Sequence, residues 1–118
     1  MKFTLELRGP VPAKKNRLRV SRRRGHYADG VKAALDSLRL QAQSAWRGRE
    51  PLESVFCIDV VFLVRDGRAD ADGKYTTVQD VLVKAGVLRN DSIARVPAFS
   101  VHTVRTVGDE MSLVSLEA

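Results

Sequence analysis

Alternating apolar and polar side chains predict a strand at the start of the chain. From Lys2 to Arg8, KFTLELR, every second residue is apolar. A period of two is typical of a strand that buries one face. Gly9 and Pro10 end the run, because glycine and proline favour turns over continued pairing.

Two later segments carry the spacing of amphipathic helices. The first begins at about Asp29 and ends before Gly48 and Pro51, and the second runs from about Lys74 to Ala85, with Gly86 as the residue that ends it. Helical periodicity and terminal glycines together predict these two helices. The apolar residues that define their inner sides are Val31, Ala34, Leu35, Leu38, Ala42, Ala45 and Trp46 in the first, and Val78, Val81, Leu82 and Ala85 in the second.

Three further strands complete the predicted fold. Val55 to Val64 is almost continuously apolar and rich in β-branched residues, which predicts a central strand covered on both faces. Phe99 to Val107 alternates, and Met111 to Leu116 follows a Gly-Asp turn. The order β-α-β-α-β-β predicts one α+β domain over residues 1–118, with two helices packed on a mixed sheet.

Composition limits the classes of protein to consider. The chain has 118 residues, a single cysteine and two histidines. No apolar run approaches the ~18 residues of a membrane span, and Met1 to Pro10 has no signal-peptide block. A lone Cys57 forms no internal disulfide, which favours a reducing compartment. We therefore expect a cytoplasmic protein with no membrane association and no structural zinc site.

Positive charge is concentrated in one part of the sequence. The chain has 20 Lys and Arg against 14 Asp and Glu, a net charge of +6, and a pI near 10.0. A solvated surface loop and a contact with a polyanion are both compatible with such a run, and an adjacent phosphate-cutting site favours the second. The candidate DNA-binding residues are Lys14, Lys15, Arg17, Arg19, Arg22, Arg23 and Arg24.

Three aspartates around the second helix stand out in this basic chain. Asp70 and Asp72 precede the helix, and Asp91 follows it. If residues 70–72 are extended, the first two side chains point the same way with their Cα atoms roughly 6.5–7 Å apart. Carboxylates repel one another unless a cation relieves the repulsion, and oxygen ligands suit Mg²⁺. The set therefore predicts a metal site at Asp70, Asp72 and Asp91.

The position of Asp91 leaves two arrangements open. A helix of twelve residues carries the chain about 18 Å away, and an extended return from Gly86 could span roughly 20 Å. Asp91 can thus complete the site of its own chain or that of a second protomer. Taken singly, each acid is also explained as a helix N-cap or a turn former.

The acidic stretch resembles the RusA family of Holliday-junction resolvases. The family signature is D-x-D-N-x-x-K, then an apolar helix with an acid, then a turn G-[LIV]-[LIV]-x-[DN]-D. This chain has Asp70-Ala71-Asp72, then Asp80 in the helix, then the turn from Gly86 to Asp91. The early PVPAKKNR, Pro10 to Arg17, resembles the proline- and lysine-rich start of that family.

The resemblance implies a homodimer that binds four-way DNA junctions and nicks two opposed strands with Mg²⁺ or Mn²⁺. It assigns catalysis and metal binding to Asp70, Asp72 and Asp91. Gly73 and Thr76 depart from the signature, because the family has Asn and Lys there. Lys74 is the nearest cation and is the candidate for stabilising charge on the phosphate, although it lies about 200° round the helix from residue 76.

These observations give two hypotheses of different class. The first is a Mg²⁺-dependent endodeoxyribonuclease that resolves Holliday junctions by paired nicks in DNA recombination and repair, with a nuclease for flaps or forks as a variant of it. The second is a catalytically inactive basic DNA-binding module, which the departures at Gly73 and Thr76 would explain.

Overall fold

A computed structural model describes residues 1–13, 29–65, 71–92 and 95–118. These residues form, in chain order, the elements β1 (Lys2–Arg8), α1 (Asp29–Ala45), β2 (Cys57–Val64), α2 (Ala71–Lys84), β3 (Phe99–Arg105) and β4 (Met111–Glu117). The strands make one sheet in the order β1-β4-β2-β3. Among these four described strands, β2 and β3 pair in parallel and the other neighbours are antiparallel. The predicted α+β fold, with two helices on a mixed sheet, is confirmed.

One face of the sheet supplies the core. In β2 the side chains of Ile58, Val60, Phe62 and Val64 are buried, and the residues between them are only partly buried. Leu38 from α1 and Leu82 from α2 belong to the same apolar cluster. Both helices therefore cover one face, as period-two alternation requires.

The structure corrects two sequence predictions. The central position of β2 is confirmed, because it lies between β4 and β3. Its predicted cover on both faces is wrong, since the alternate residues stay partly exposed. Second, α2 begins at Ala71 rather than about Lys74, which brings Asp72 and Gly73 into its first turn. Neither described helix is both long enough and apolar enough to cross a membrane.

The parallel pairing of β2 and β3 explains the place of α2. Parallel neighbours need a crossover connection, usually a helix, and α2 supplies it. The helix ends in a Schellman motif, with Gly86 at φ +82° and hydrogen bonds from Gly86 N to Val83 O at 3.1 Å and from Val87 N to Leu82 O at 2.9 Å. Only glycine adopts this φ without strain, so the chain reverses directly after the helix, as predicted at Gly86.

Phe62 gives a direct test of the one-sided core. Its ring is 1% exposed on the central strand, whereas the ring of Phe56 is 71% exposed. We expect Phe62→Ala to lower the free energy of unfolding by about 3–5 kcal/mol, and Phe56→Ala to change it by less than about 0.5 kcal/mol. Urea unfolding followed by circular dichroism measures both. Equal losses in the two variants would contradict this core.

Candidate functional site

Asp72 lies in the first turn of α2, where its carboxylate is exposed. The extended geometry assumed for residues 70–72 is therefore wrong, because Ala71 and Asp72 are already helical. Asp70 lies outside the described residues. An acid in the first turn is favoured by the partial positive charge of a helix N-terminus. This local stabilisation of the helix accounts in part for an aspartate at position 72.

Asp91 lies in the turn after α2, and its side chain is exposed. Leu88 forms an isolated parallel bridge with Leu52, which fixes the chain on its way back from the helix. Asn90 accepts a hydrogen bond at its Oδ1 from Ser92 N at 3.1 Å. This Asx turn explains why an amide suits the residue before Asp91.

Tyr75 is the described residue that relates to both acids. Burial raises the pKa of its phenol, and the negative charges of Asp91 and Asp59 raise it further, while the hydrogen bond from Gln79 lowers it. The carboxylate of Asp91 therefore acts electrostatically on the Tyr75 hydroxyl of its own chain. Tyr75 follows Asp72 by three residues, so the two are neighbours on α2, with Tyr75 buried and Asp72 exposed. This electrostatic relation is compatible with a site within one chain.

Lys74 points into the protein rather than toward the exposed acids. It is 7% exposed, and its Nζ donates a hydrogen bond to Val11 O at 2.7 Å and lies 6.0 Å from the centre of the Phe62 ring. Burial lowers the pKa of its ammonium group, and the charge of Glu110 opposes that shift. These contacts are structural, and a catalytic role for Lys74 stays a prediction.

The position that carries lysine in the RusA signature is exposed here. Thr76 is exposed, and its Oγ1 donates to Asp72 O at 3.0 Å. As the helix geometry predicted, Lys74 and Thr76 point in different directions, one buried and one exposed. Lys74 therefore does not occupy the place of the missing lysine.

Two side-chain hydrogen bonds, here called the tie, join α2 to the segment after β1 and hold that segment beside the candidate site. Next to the bond from Lys74 to Val11, Thr77 Oγ1 lies 2.6 Å from Pro12 O and 3.1 Å from Gly73 O. The hydroxyl has one hydrogen to donate, and the shorter distance assigns it to Pro12. The described chain thus reaches Ala13 next to the helix that carries Asp72. The predicted DNA-binding residues from Lys14 to Arg24 lie outside the described residues.

Two arginines flank Asp91 and share one acid. Glu53 Oε1 contacts Arg89 Nη2 at 2.9 Å and Arg89 Nε at 3.1 Å. Glu53 Oε2 and Glu53 O each accept from Arg95 Nη1 at 3.1 Å. The arginine side chains are 52% and 40% exposed. Glu53, Arg89 and Arg95 are together called the Glu53 group. Because it contains two guanidinium groups and one carboxylate, this group has a net positive charge.

Tyr75 and Phe99 form an aromatic pair at the end of the sheet where β3 begins. The rings of Tyr75 and Phe99 stack with centroids 4.2 Å apart and an interplanar angle of 12°. Tyr75 is 4% exposed, whereas Phe99, the first residue of β3, is 54% exposed. Gln79 Nε2 donates to Tyr75 Oη at 2.9 Å and helps to hold the inner ring. The partly exposed Phe99 ring is thus packed against a buried ring that a hydrogen bond helps to hold in place.

The available donors are compatible with a hard cation. Carboxylate oxygens are the ligands that Mg²⁺ prefers, and it commonly needs only one or two from the protein because it keeps several waters. Within the described ranges, which omit Asp70, no group of three or more His, Cys, Asp or Glu side chains could hold a metal ion. Asp72 and Asp91 are the described members of the predicted set.

Comparison with known proteins adds no relative. Neither a scan of protein-family models nor a search of curated proteins finds a match to this chain. The RusA resemblance therefore stands on the motif residues themselves.

Sequence reasoning missed the residues that surround the acids. Tyr75 and Phe99 are distant in the sequence, so no local pattern predicts their stacking. Arg89 and Arg95 on either side of Asp91 are a visible local signal. Their common partner, Glu53, becomes apparent only when the Leu52–Leu88 bridge brings the two segments together.

The tie to Pro12 predicts unequal roles for two adjacent threonines. We expect Thr77→Val to lower the free energy of unfolding by about 1 kcal/mol, because it leaves Pro12 O without its hydroxyl donor. Thr76→Val is the matched control on the same helix and should change it by less than about 0.5 kcal/mol, because that hydroxyl is exposed. Urea denaturation measures both. A larger loss in Thr76→Val would contradict the assigned tie.

Proposed function

We propose that this chain is a Mg²⁺-dependent, structure-selective endodeoxyribonuclease that resolves Holliday junctions by paired nicks, in DNA recombination and repair. The observation that carries the proposal is the acid pattern from Asp70 to Asp91, of which Asp72 and Asp91 are exposed and the charge of Asp91 acts on Tyr75, the neighbour of Asp72 on α2. Exposed carboxylates from separate segments suit a hard cation. Asp70, which precedes the helix, would be the third ligand.

The electrostatics of the chain favour a nucleic acid as the substrate. Exposed acids repel a phosphate backbone, so they suit a DNA-cutting site only where a cation intervenes and basic groups hold the DNA. The net charge of +6 supplies such groups, with Lys14 to Arg24 and the arginines on either side of Asp91 as the candidates. Cytoplasmic location fits a DNA substrate and the single cysteine.

The division of labour among the residues follows from their chemistry. Asp70, Asp72 and Asp91 would hold the metal and orient the attacking water. A bound Mg²⁺ polarises a phosphoryl oxygen and lowers the pKa of its water. The tie through Lys74 and Thr77 keeps α2 and the segment before the basic stretch together. Two copies in a homodimer would present two such sites, which matches the two equivalent strands of a junction.

The alternative function is a DNA-binding module without catalysis. Thr76 favours it, because its hydroxyl bonds back to Asp72 O and no cation stands at this exposed place. Both functions require DNA binding. They differ in whether Asp72 is needed for a chemical step.

The variant Asp72→Asn separates binding from cleavage. We expect it to bind a synthetic four-way junction within about threefold of wild type. Its Mg²⁺-dependent nicking should fall by at least about a hundredfold, since even partners in the outer shell of a metal commonly cost 10–100-fold. Gel shift and single-turnover cleavage of a labelled junction measure the two quantities, with a linear duplex as the substrate control.

Asp36→Asn is the matched control for this substitution. It makes the same charge change on α1, where Asp36 pairs with Arg39 at 3.6 Å, and it should cut like wild type. If Asp72→Asn cut at the wild-type rate, the site assignment would be wrong. If wild type bound the junction and left it uncut with Mg²⁺ or Mn²⁺, the binding module would replace the nuclease.

A further inference from the structure

We propose that the end of the sheet where β2 and β3 begin carries a second DNA-contact surface, in which Arg89 and Arg95 hold backbone phosphates and the Phe99 ring stacks on an unpaired base. This inference rests on the proposed nuclease function, and it assigns substrate contacts outside Lys14 to Arg24.

The arginine pair is arranged for anions. Glu53 holds both guanidinium groups through contacts of 2.9–3.1 Å, yet both side chains stay about half exposed. Arginine presents five N–H donors in a planar fork that matches phosphate. In the described part of the chain, the Glu53 contacts engage Nε and Nη2 of Arg89 and only Nη1 of Arg95. The other N–H groups can serve a phosphate without breaking the Glu53 contacts.

Backbone pairing brings these arginines and Phe99 to one end of the sheet. Arg95 O accepts a hydrogen bond from Val55 N at 2.8 Å, and Ala98 O accepts one from Ile58 N at 3.1 Å. Phe99 then pairs with Ile58 at the start of the parallel ladder. The proposed phosphate contact at Arg95 and the proposed stacking contact at Phe99 are therefore only a few residues apart, both alongside the segment from Val55 to Ile58.

The Phe99 ring has the properties of a stacking platform. Tyr75 covers one face at 4.2 Å, and 54% of the residue is exposed. A base on the open face would continue the stack, and base–aromatic stacking tolerates any sequence because every base has a π face. A base that opens at the strand-exchange point of a junction would be available to this platform.

Charge and proximity favour DNA over a protein partner here. The Glu53 group keeps a net positive charge, and the charge of Asp91, a proposed metal ligand, acts on Tyr75, which stacks behind the Phe99 ring. A phosphate near the metal would place neighbouring nucleotides within reach of the ring and the guanidinium groups. An interface between two copies of this chain is the competing use of the surface, and the experiment includes it.

Two variants and two matched controls test the surface. The first variant is Arg89→Gln combined with Arg95→Gln, with Arg47→Gln as its control, since Arg47 follows Trp46, which packs on Phe3 of the opposite edge strand. The second is Phe99→Leu, and its control is Phe56→Leu at the same end of the sheet. Phe56 is 71% exposed and its N–H bonds to Glu117 on the β4 side of β2, so the pair separates the Phe99 position from the loss of any exposed ring.

The readout is equilibrium binding to a four-way junction at several salt concentrations without Mg²⁺. Each lost phosphate contact lowers the slope of log K against log salt by about 0.9, so the double arginine variant should lose about 1.8 for each bound chain, and Arg47→Gln less than about half a unit. Phe99→Leu should weaken binding at least about fivefold with an unchanged slope, and Phe56→Leu should match wild type. Abasic sites at the strand-exchange point of the junction should remove the difference between Phe99→Leu and wild type.

Each other outcome overturns the inference. Equal slopes for the double variant and Arg47→Gln exclude the phosphate contacts, and equal affinities for the two phenylalanine variants exclude the platform. If sedimentation shows that the variants weaken a dimer, and the dimer that remains at high protein concentration keeps wild-type DNA affinity, the surface joins copies of the chain. A wild type that binds and nicks the junction leaves the proposed function standing in all these cases, whereas one that binds no junction overturns both.

Discussion

The parallel pairing of β2 with β3 is the constraint on which the candidate site depends. Parallel strands need a crossover, and here α2 supplies it between Val64 and Phe99. The helix of this crossover begins at Ala71, carries Asp72 in its first turn and ends before Gly86, whose positive φ reverses the chain. The return passes Leu52 and leads to Asp91, whose charge acts on Tyr75 of the helix. This crossover therefore sets the positions of both acids, which a whole helix separates in the sequence.

Much of the fold was predictable because its signals are local. Alternation located β1 at Lys2–Arg8, and helical spacing with Gly86 located the end of α2. The errors arose where tertiary contacts decide. Ala71, Asp72 and Gly73 extend α2 backward by three residues, and the outer face of β2 stays partly exposed because both helices pack on the other face. Periodicity cannot show on which face a neighbouring element lies.

The candidate site was less predictable than the fold. The sequence identifies Asp72 and Asp91 as candidates, but it gives no sign that Lys74 is buried against Val11 O. A lysine near two acids favours a catalytic interpretation, whereas the structure uses its long side chain to hold the Pro10–Pro12 segment. The Tyr75–Phe99 stack and the Glu53 bridge between Arg89 and Arg95 join distant segments, so only the folded chain reveals them.

A titration with Mn²⁺, followed by electron paramagnetic resonance, tests most directly whether Asp72 and Asp91 hold one metal ion. Wild type, Asp72→Asn, Asp91→Asn and the double variant would be compared. The account predicts one bound ion per chain in wild type, a similar loss of affinity in each single variant, and no large further loss in the double variant, because ligands of one ion are coupled. If Asp91→Asn kept the wild-type affinity, Asp91 would belong only to its turn, and the two acids would not form one site.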